Sequence, residues 1–286
     1  MNIDLRNVDC LSDSGLYSLA DNSIDLLVTD LPYGVTKAAH DTKIPLEDYI
    51  QVTIRNKEKY LNLTDWLLHS FKQGLDYKKS MEYFKTNKKV GLMTELFRVV
   101  KDNGALIFFG QDKFSTEIMN SAMKYHRYNL IWNKKRTTGF LNANKMPLRQ
   151  HEDILVFYKK PPTYHPQKVK GKPNHSRGSS KKPLTNNNYG SLLFVDNKDA
   201  LKDMKHPTSI VTFDKPHPPV FATQKPTELM EWLINSYSNE GDVVLDCCVG
   251  SGTTALAAKN TNRDFIGFEK NVENYELALV RLNNHT

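Results

Sequence analysis

Residues 241–254 read GDVVLDCCVGSGTT, an apolar run followed by a glycine-rich turn. The composition of Val243–Asp246 predicts a buried strand, and that of residues 255–260 predicts a helix after the turn. Glycines at 250 and 252 let a ligand approach the main chain, and a helix that begins at Thr253 has N–H groups free to bind it. The order of strand, glycine turn and helix predicts an α/β domain with a ligand at the turn.

A second strand carries an acidic residue at a spacing typical of nucleoside sites. Asp264–Phe268 is the next apolar run, and Glu269 follows it, roughly twenty residues beyond the glycines, where an acid suits ribose hydroxyls. The Gly-Lys-Ser or Gly-Lys-Thr of a phosphate-binding loop is absent. We therefore expect a nucleoside site, the alternative being a purely structural strand-to-helix turn.

A third motif, VTDLPYG at residues 28–34, ends the apolar run Ile24–Val28. Because ligands of open α/β sheets bind beyond the carboxyl ends of the strands, the tetrapeptide Asp30-Leu31-Pro32-Tyr33 is expected at the mouth of the site. Tyr33 offers a stacking face and Asp30 a hydrogen-bond acceptor, while Pro32 stiffens the backbone that carries the Leu31 carbonyl. The alternative is a turn that only terminates the strand.

Together these motifs resemble the β class of S-adenosylmethionine-dependent amino methyltransferases of DNA, in which the catalytic motif precedes the cofactor glycines. The family's Asp-Pro-Pro-Tyr appears here as Asp-Leu-Pro-Tyr at 30–33, and its Thr-Gln-Lys-Pro as Thr223–Pro226. Further matching segments are Asp9-Cys10, Phe97–Phe109, Leu130–Lys134, Arg149–Phe157 and Ala222–Leu229. Two positions depart from the pattern. Leu31 supplies the backbone carbonyl of the usual proline, and Cys247-Cys248 in place of Pro-Phe is expected to alter packing only.

The resemblance implies a Rossmann-like three-layer α/β methyltransferase fold, circularly rearranged, with an inserted target-recognition region and S-adenosylmethionine as cofactor. Asp246 and the 250–252 turn would hold the methionine and ribose region, Glu269 the ribose hydroxyls, Asp9 the adenine, and Lys225 the carboxylate or a nearby loop. The implied cofactor-binding residues are Asp9, Lys225, Asp246, Gly250, Ser251, Gly252, Thr253 and Glu269. The implied catalytic residues are Asp30, Leu31, Pro32 and Tyr33.

The implied mechanism is direct transfer to an exocyclic amino group of a base that has left the duplex. Asp30 and the Leu31 carbonyl would accept the two N–H bonds, and Tyr33 would stack on the base. No metal is required. We expect transfer to the N6 nitrogen of adenine, because many cytosine-N4 members carry serine in place of Asp30. Alternatives are N4 of cytosine, an RNA or protein-glutamine methyltransferase, an inactive DNA-binding homologue, and a dinucleotide oxidoreductase.

The net charge of +7 is concentrated in one segment. Residues 134–183 hold 13 Lys and Arg against 2 Asp and Glu, whereas residues 1–133 are balanced and residues 184–286 are net acidic. Because phosphates dominate the affinity of proteins for DNA, this segment is expected to contact double-stranded DNA. A solvated basic loop is the alternative. The candidate DNA-binding residues are Lys134, Lys135, Arg136, Lys168, Lys170 and Lys172.

The motifs divide the chain into four parts. Residues 1–36 and 91–160 form the catalytic half, 37–90 a helical insertion, 161–205 the target-recognition region, and 206–286 the cofactor-binding half. The insertion is expected to be a surface elaboration, with a DNA clamp or a homodimer contact as alternatives. Parts of 161–205 are expected to become ordered only on DNA. A parallel sheet is expected from strands at 3–10, 24–29, 105–109, 129–133, 154–159, 243–246 and 264–268.

The cysteines and the amino end bear on location. Cys10, Cys247 and Cys248 have neither metal-ligand spacing nor a disulfide framework, which fits a reducing compartment. The segment MNIDLR lacks the apolar core of a signal peptide, and no apolar run is long enough for a membrane span. We therefore expect a soluble, cytoplasmic enzyme without a metal. The sequence does not identify a restriction enzyme partner.

Overall fold

The computed structural model describes residues 1–34, 41–54, 57–172, 184–186, 190–192, 203–220 and 223–284. Predictions that involve other residues, such as Ala222 and part of the basic segment, lie outside this range. The described residues form two compact units. One consists of Met1–His165 with Ser209–Thr286, and the other of Pro166–Thr208.

The described strands are β1 (Ile3–Arg6), β2 (Ile24–Thr29), β3 (Ile50–Ile54), β4 (Lys57–Leu61), β5 (Val100–Gly110), β6 (His126–Thr138), β7 (Arg149–Phe157), β8 (Val169–Lys170), β9 (Leu184–Asn186), β10 (Gly190–Leu192), β11 (Met204–Lys205), β12 (Ile210–Thr212), β13 (Val243–Asp246) and β14 (Asp264–Phe268). The described α-helices are α1 (Leu63–Lys72), α2 (Tyr77–Asn87), α3 (Leu92–Val99), α4 (Asp112–Ser121), α5 (Thr227–Tyr237), α6 (Thr253–Asn260) and α7 (Val272–Asn284).

The larger unit is built on an eight-stranded sheet with the order β1-β14-β13-β2-β5-β7-β6-β12. Strands from the last fifty residues lie inside the sheet, because β13 pairs in parallel with β2 through Val244↔Leu26 and Leu245↔Leu27. This is the arrangement expected of a circularly rearranged chain. It brings the carboxyl ends of β2 and β13, which carry the two main motifs, to the same edge of the sheet.

The sheet is mixed, which corrects the expectation of a parallel sheet. Strand β7 runs antiparallel to both of its neighbours, β5 and β6. The connection between β6 and β7, residues 139–148, is too short for a helical crossover of the length that parallel strands require, so β7 returns antiparallel. The reversal places the amino end of β7 at the same edge as the carboxyl end of β5, where Asp153 lies opposite Gly110.

Helices cover both faces of the sheet, and the predicted Rossmann-like three-layer fold is confirmed. Alternation along β5 separates two cores, because Ala105, Ile107 and Phe109 pack on one face while Leu106 and Phe108 pack on the other. The first face is covered by α5, α6 and α7, and the second by α3 and α4. Among helices of the described ranges, none combines the length and apolar character needed to cross a bilayer.

Several boundaries differ from the predictions. Strand β1 ends at Arg6 rather than at Cys10, and β5, β6 and β7 each begin three to five residues before the predicted strands. The insertion at 37–90 is not purely helical in its described part, because an antiparallel hairpin of β3 and β4 precedes α1 and α2. Trp66 of α1 packs against this hairpin through Ile50 and against Phe84 of α2, which gives the insertion a small core of its own.

Candidate active site

A cavity of about 940 Å³ opens at the carboxyl edge of the sheet. It gathers motifs that lie far apart in the sequence, since both the tetrapeptide after β2 and the turn after β13 border it. The predicted residues that line it are Asp9, Asp30, Leu31, Pro32, Tyr33, Lys225, Asp246, Gly250, Ser251, Thr253 and Glu269. Gly252 is the predicted cofactor residue that is not among those lining it.

Asp30 lies directly beyond β2 and accepts hydrogen bonds from two side chains. The Tyr33 hydroxyl donates to Asp30 Oδ1 at 3.2 Å, and Lys225 Nζ donates to Asp30 Oδ2. Burial raises the pKa of Asp30 above the usual range of a carboxyl group, although the Lys225 ammonium opposes the shift. Burial also raises the pKa of Tyr33 well above its ordinary value, so its hydroxyl keeps the proton that it donates to Asp30.

Lys225 is almost fully buried between two carboxylates. Its Nζ donates to Asp30 and lies 3.3 Å from Glu152 Oε2, an ion-pair distance. Nζ also lies 5.0 Å from the centroid of the Phe109 ring, whose face attracts a cation. Burial by itself lowers the pKa of Lys225, but the charges of Asp30 and Glu152 outweigh burial and raise it. The ammonium therefore stays charged in the cavity wall.

Glu152, near the amino end of β7, is a site residue that the sequence reasoning missed. Its Oε1 accepts a hydrogen bond from Lys134 Nζ at 3.1 Å. Its Oε2 is buried and accepts no hydrogen bond from the described residues. Burial raises the pKa of Glu152, but the ammonium groups of Lys225 and Lys134 outweigh this and lower it. The available signal was the acidic pair Glu152-Asp153 directly before the apolar run 154–157.

Lys134 is not on the surface, which corrects its assignment as a DNA-binding residue. It is 2% exposed and follows Leu130 and Trp132 on the buried face of β6, since alternate residues of a strand point the same way. Its charge is paired with Glu152 rather than presented to a phosphate. Lys135 and Arg136, the next residues of the strand, are exposed, and Lys135 pairs with Asp214 at 3.0 Å.

In the smaller unit, described residues 166–172 carry the other candidate DNA contacts. Strand β8 pairs antiparallel with β11 and presents Lys170 on a short ribbon. Lys168, Lys170 and Lys172 are all exposed. Their ammonium groups are thus accessible to an anionic partner.

Asp246 is saturated by hydrogen bonds from its own chain. Oδ1 accepts from the Thr29 hydroxyl at 2.8 Å and from the Cys248 N–H at 3.0 Å, and Oδ2 accepts from the Thr254 hydroxyl at 2.6 Å. Burial raises the pKa of Asp246 to about 7. The carboxyl group therefore joins the ends of β2 and β13 to the start of α6 and shapes the glycine turn between them.

The glycine turn is held from two further sides. Glu269 accepts the Gly250 N–H on Oε2 and the Asn271 N–H on Oε1, each at 2.8 Å. Arg281 of α7 donates to the Ser251 carbonyl oxygen at 2.5 Å and to the Thr253 hydroxyl at 3.1 Å. Arg281 is a second residue that the sequence reasoning missed, because thirty residues separate it from the turn.

Gly252 has a structural reason to be glycine. Its φ of +80° lies in the left-handed region, and a Cβ on it would lie 2.8 Å from the Ala278 Cβ of α7. The missing side chain therefore lets α7 pack closely against the turn. This differs from the expected approach of a ligand to the main chain at this position.

Three thiols border the same cavity. Cys10, Cys247 and Cys248 all line it, and the Thr29 hydroxyl lies 3.4 Å from Cys247 Sγ. Hydrogen bonds from Cys247 and Cys248 lower the pKa of Cys10 to about 5. Within the described residues no group of His, Cys, Asp and Glu is arranged to hold a metal ion.

Known proteins match the chain over most of its length. A family model for N6/N4 methyltransferases, described as DNA methylase, matches residues 24–280. The Type II methyltransferase M.HpaI of Haemophilus parainfluenzae is 30% identical over 282 residues, 98% of this chain and 74% of that protein. The Type II methyltransferase M.BglII of Bacillus subtilis is 31% identical over 273 residues, 92% of this chain and 64% of that protein.

Solved structures show the same fold. The crystal structure of the M1.HpyAVI–SAM complex matches with a TM-score of 0.53 at 20% identity, over 98% of this chain and 100% of that one. The cytosine-N4-specific PvuII DNA methyltransferase matches with a TM-score of 0.58 at 15% identity, over 98% of this chain and 86% of that one. The resemblance inferred from the motifs is thereby confirmed, and the chain belongs to the N6/N4 family of DNA methylases.

Proposed function

We propose that the protein transfers a methyl group from S-adenosylmethionine to the N6 amino group of an adenine flipped out of double-stranded DNA. The observation that carries the proposal is the single cavity bordered by both the Asp30 carboxylate and the glycine turn at 250–252. An acceptor for an amino group and a turn suited to a nucleoside thus share one sheet edge. Membership of the DNA methylase family supports the reaction class.

The residues of the cavity fit the proposed cofactor. A volume of about 940 Å³ suits a small molecule next to an entering base. Asp9 and Glu269 offer carboxylate oxygens to hydroxyl and amino donors, and an ionised carboxylate retains acceptor sites beyond the N–H groups that it already binds. Ser251, just before α6, and Thr253, its first residue, offer hydroxyl groups that can hydrogen-bond to the cofactor. When bound, S-adenosylmethionine supplies an electrophilic methyl group on its sulfonium.

Asp30 and the Leu31 carbonyl act on the amino group of the base. That nitrogen is a poor nucleophile because its lone pair is conjugated into the ring. Two acceptors that bind its N–H groups favour a tetrahedral nitrogen, whose lone pair is then free to react. The Asp30 carboxylate stabilises the positive charge that develops on the nitrogen. Positioning of the reactants in line contributes up to ~7–11 kcal/mol in well-oriented systems.

Tyr33 supplies the stacking surface for the extruded base. Its ring packs against Phe114 of α4 with 4.7 Å between centroids, and its hydroxyl is tied to Asp30. Both contacts restrict the rotamer, so the ring is organised before the base arrives. The proposed phosphate contacts are the exposed cations of the basic segment: Lys135, Arg136, Lys168, Lys170 and Lys172.

Asp30→Ala and the isosteric Asp30→Asn test the catalytic role. Both variants should lose methyl transfer to DNA while calorimetry still detects S-adenosylmethionine binding. Tyr33→Phe, which keeps the stacking face, should retain substantial activity, whereas Tyr33→Ala should not. Wild-type turnover by Asp30→Ala would refute the mechanism.

Mass spectrometry of nucleosides from methylated DNA tests the choice of adenine. N6-methyldeoxyadenosine is expected. N4-methyldeoxycytidine without it would transfer the proposal to cytosine, with the Asp30 chemistry unchanged. A methyl group that enters only RNA would refute DNA as the substrate.

A further inference from the structure

We propose that Glu152 is a positioning residue that takes over the Lys225 ammonium when a substrate amino group binds Asp30. The inference rests on the proposed function and deepens it, because it concerns the same reaction. Glu152 makes no hydrogen bond to Asp30 or Tyr33 among the described residues. Its proposed role is to free the Asp30 carboxylate for the substrate.

The geometry provides two carboxylates for one ammonium. Lys225 Nζ donates to Asp30 Oδ2 and lies 3.3 Å from Glu152 Oε2. The side chains of Lys225 and Glu152 are 8% and 14% exposed, so water has little access to either. Glu152 Oε2 accepts no hydrogen bond from the described residues. The Lys225 ammonium is therefore the ion-pair partner of an oxygen that has room for a closer hydrogen bond.

The chemistry favours a movement of Lys225 away from Asp30. An ammonium on Asp30 Oδ2 competes with the amino group of the base for this carboxylate. It also cancels the negative potential that stabilises positive charge on the reacting nitrogen. While Lys225 binds Asp30, the charge of the catalytic carboxylate is therefore neutralised. A second carboxylate within reach allows the ammonium to move without entering an apolar environment as an unpaired ion.

Two further contacts favour this movement. Lys134 holds Glu152 Oε1 at 3.1 Å, which keeps Glu152 ionised and leaves its other oxygen directed to Lys225. The Phe109 ring, 5.0 Å from Lys225 Nζ, remains beside the ammonium in either pairing. Because Nζ already lies at an ion-pair distance from Oε2, a small rotation of the lysine side chain completes the exchange.

The test is Glu152→Gln, which removes the charge and preserves the shape. We expect kcat at saturating DNA and S-adenosylmethionine to fall about 100-fold, in the range seen when one preorganised electrostatic group is removed. The KM for DNA and the calorimetric Kd for the cofactor should stay at wild-type values. Glu228→Gln, an exposed substitution in the first turn of α5, is the matched control and should not change kcat.

A double-mutant cycle separates positioning from a structural role. If Glu152 acts through Lys225, then Glu152→Gln should lower kcat in the wild-type background and have no further effect in a Lys225→Met background. Thermal unfolding and cofactor binding establish that each variant is folded. Equal effects in both backgrounds, or a weakened cofactor Kd with unchanged kcat, would overturn the inference. Failure of the wild-type protein to methylate DNA would instead overturn the proposed function.

Discussion

Replacing Gly252 by alanine tests whether the glycine turn is shaped by helix packing. The new side chain incurs the cost of the left-handed backbone at φ +80°, about 1–2 kcal/mol. Its Cβ would lie 2.8 Å from the Ala278 Cβ and 3.0 Å from the Ala278 Cα, so α7 must move. Overpacking of this kind costs about 1–3 kcal/mol. The free energy of unfolding should therefore fall by about 2–5 kcal/mol.

Gly74→Ala is the matched control, because Gly74 has the same φ of +80° and a Cβ added there would meet no described atom within 4 Å. It should lose only the backbone contribution of about 1–2 kcal/mol. Urea unfolding of both variants measures the difference, and calorimetry measures the Kd for S-adenosylmethionine. Only Gly252→Ala should weaken cofactor binding, since a displaced α7 also displaces Arg281 from the turn. Equal destabilisation by the two substitutions would refute the packing argument.

Three further predictions concern thiols, salt and pH. Iodoacetamide at pH 7 should alkylate Cys10 before Cys247 or Cys248, because the pKa of Cys10 is lowered to about 5. The alkylation should block cofactor binding, and S-adenosylmethionine should protect Cys10. Peptide mass mapping that shows no protection would contradict the shared cavity. Neutralising Lys168, Lys170 and Lys172 should reduce the slope of log K for duplex DNA against log salt concentration by about 0.9 per lost phosphate contact. An unchanged slope would show that these lysines do not contact DNA. Because folding raises the pKa of Asp246 from 3.8 to about 7, the folded chain keeps a proton that the unfolded chain releases in this window. As pH rises from 3.8 to about 7, the free energy of unfolding of the wild type should therefore fall relative to that of Asp246→Asn, by up to ~1.4 kcal/mol per pH unit. Parallel pH profiles of the two proteins would rule this out.

The features that could be predicted from the sequence are those set by local patterns. Apolar runs such as Ile24–Val28 identify strands, and residues directly after them must lie at the sheet edge whatever the order of the strands. The direction of β7 could not be predicted, because Ile154–Val156 is equally apolar in either orientation and the reversal depends on the connection at 139–148. The burial of Lys134 depends on which face of β6 meets the core, and a run of basic residues conceals that alternation.

The charge network of the site shows why separate motifs acquire a meaning only in the fold. Asp30, Lys134, Glu152 and Lys225 come from four different segments, and 195 residues separate Asp30 from its partner Lys225. Each segment alone offers a charged side chain that could equally be exposed. Joined in the sheet, two carboxylates and two ammonium groups neutralise one another, so the set can be buried although a single member could not. The same neutrality lets Lys225 exchange partners without changing the total charge of the cavity wall. A neutral set of four largely buried charges is thus compatible both with a stable core and with a catalytic carboxylate that is released when the substrate arrives.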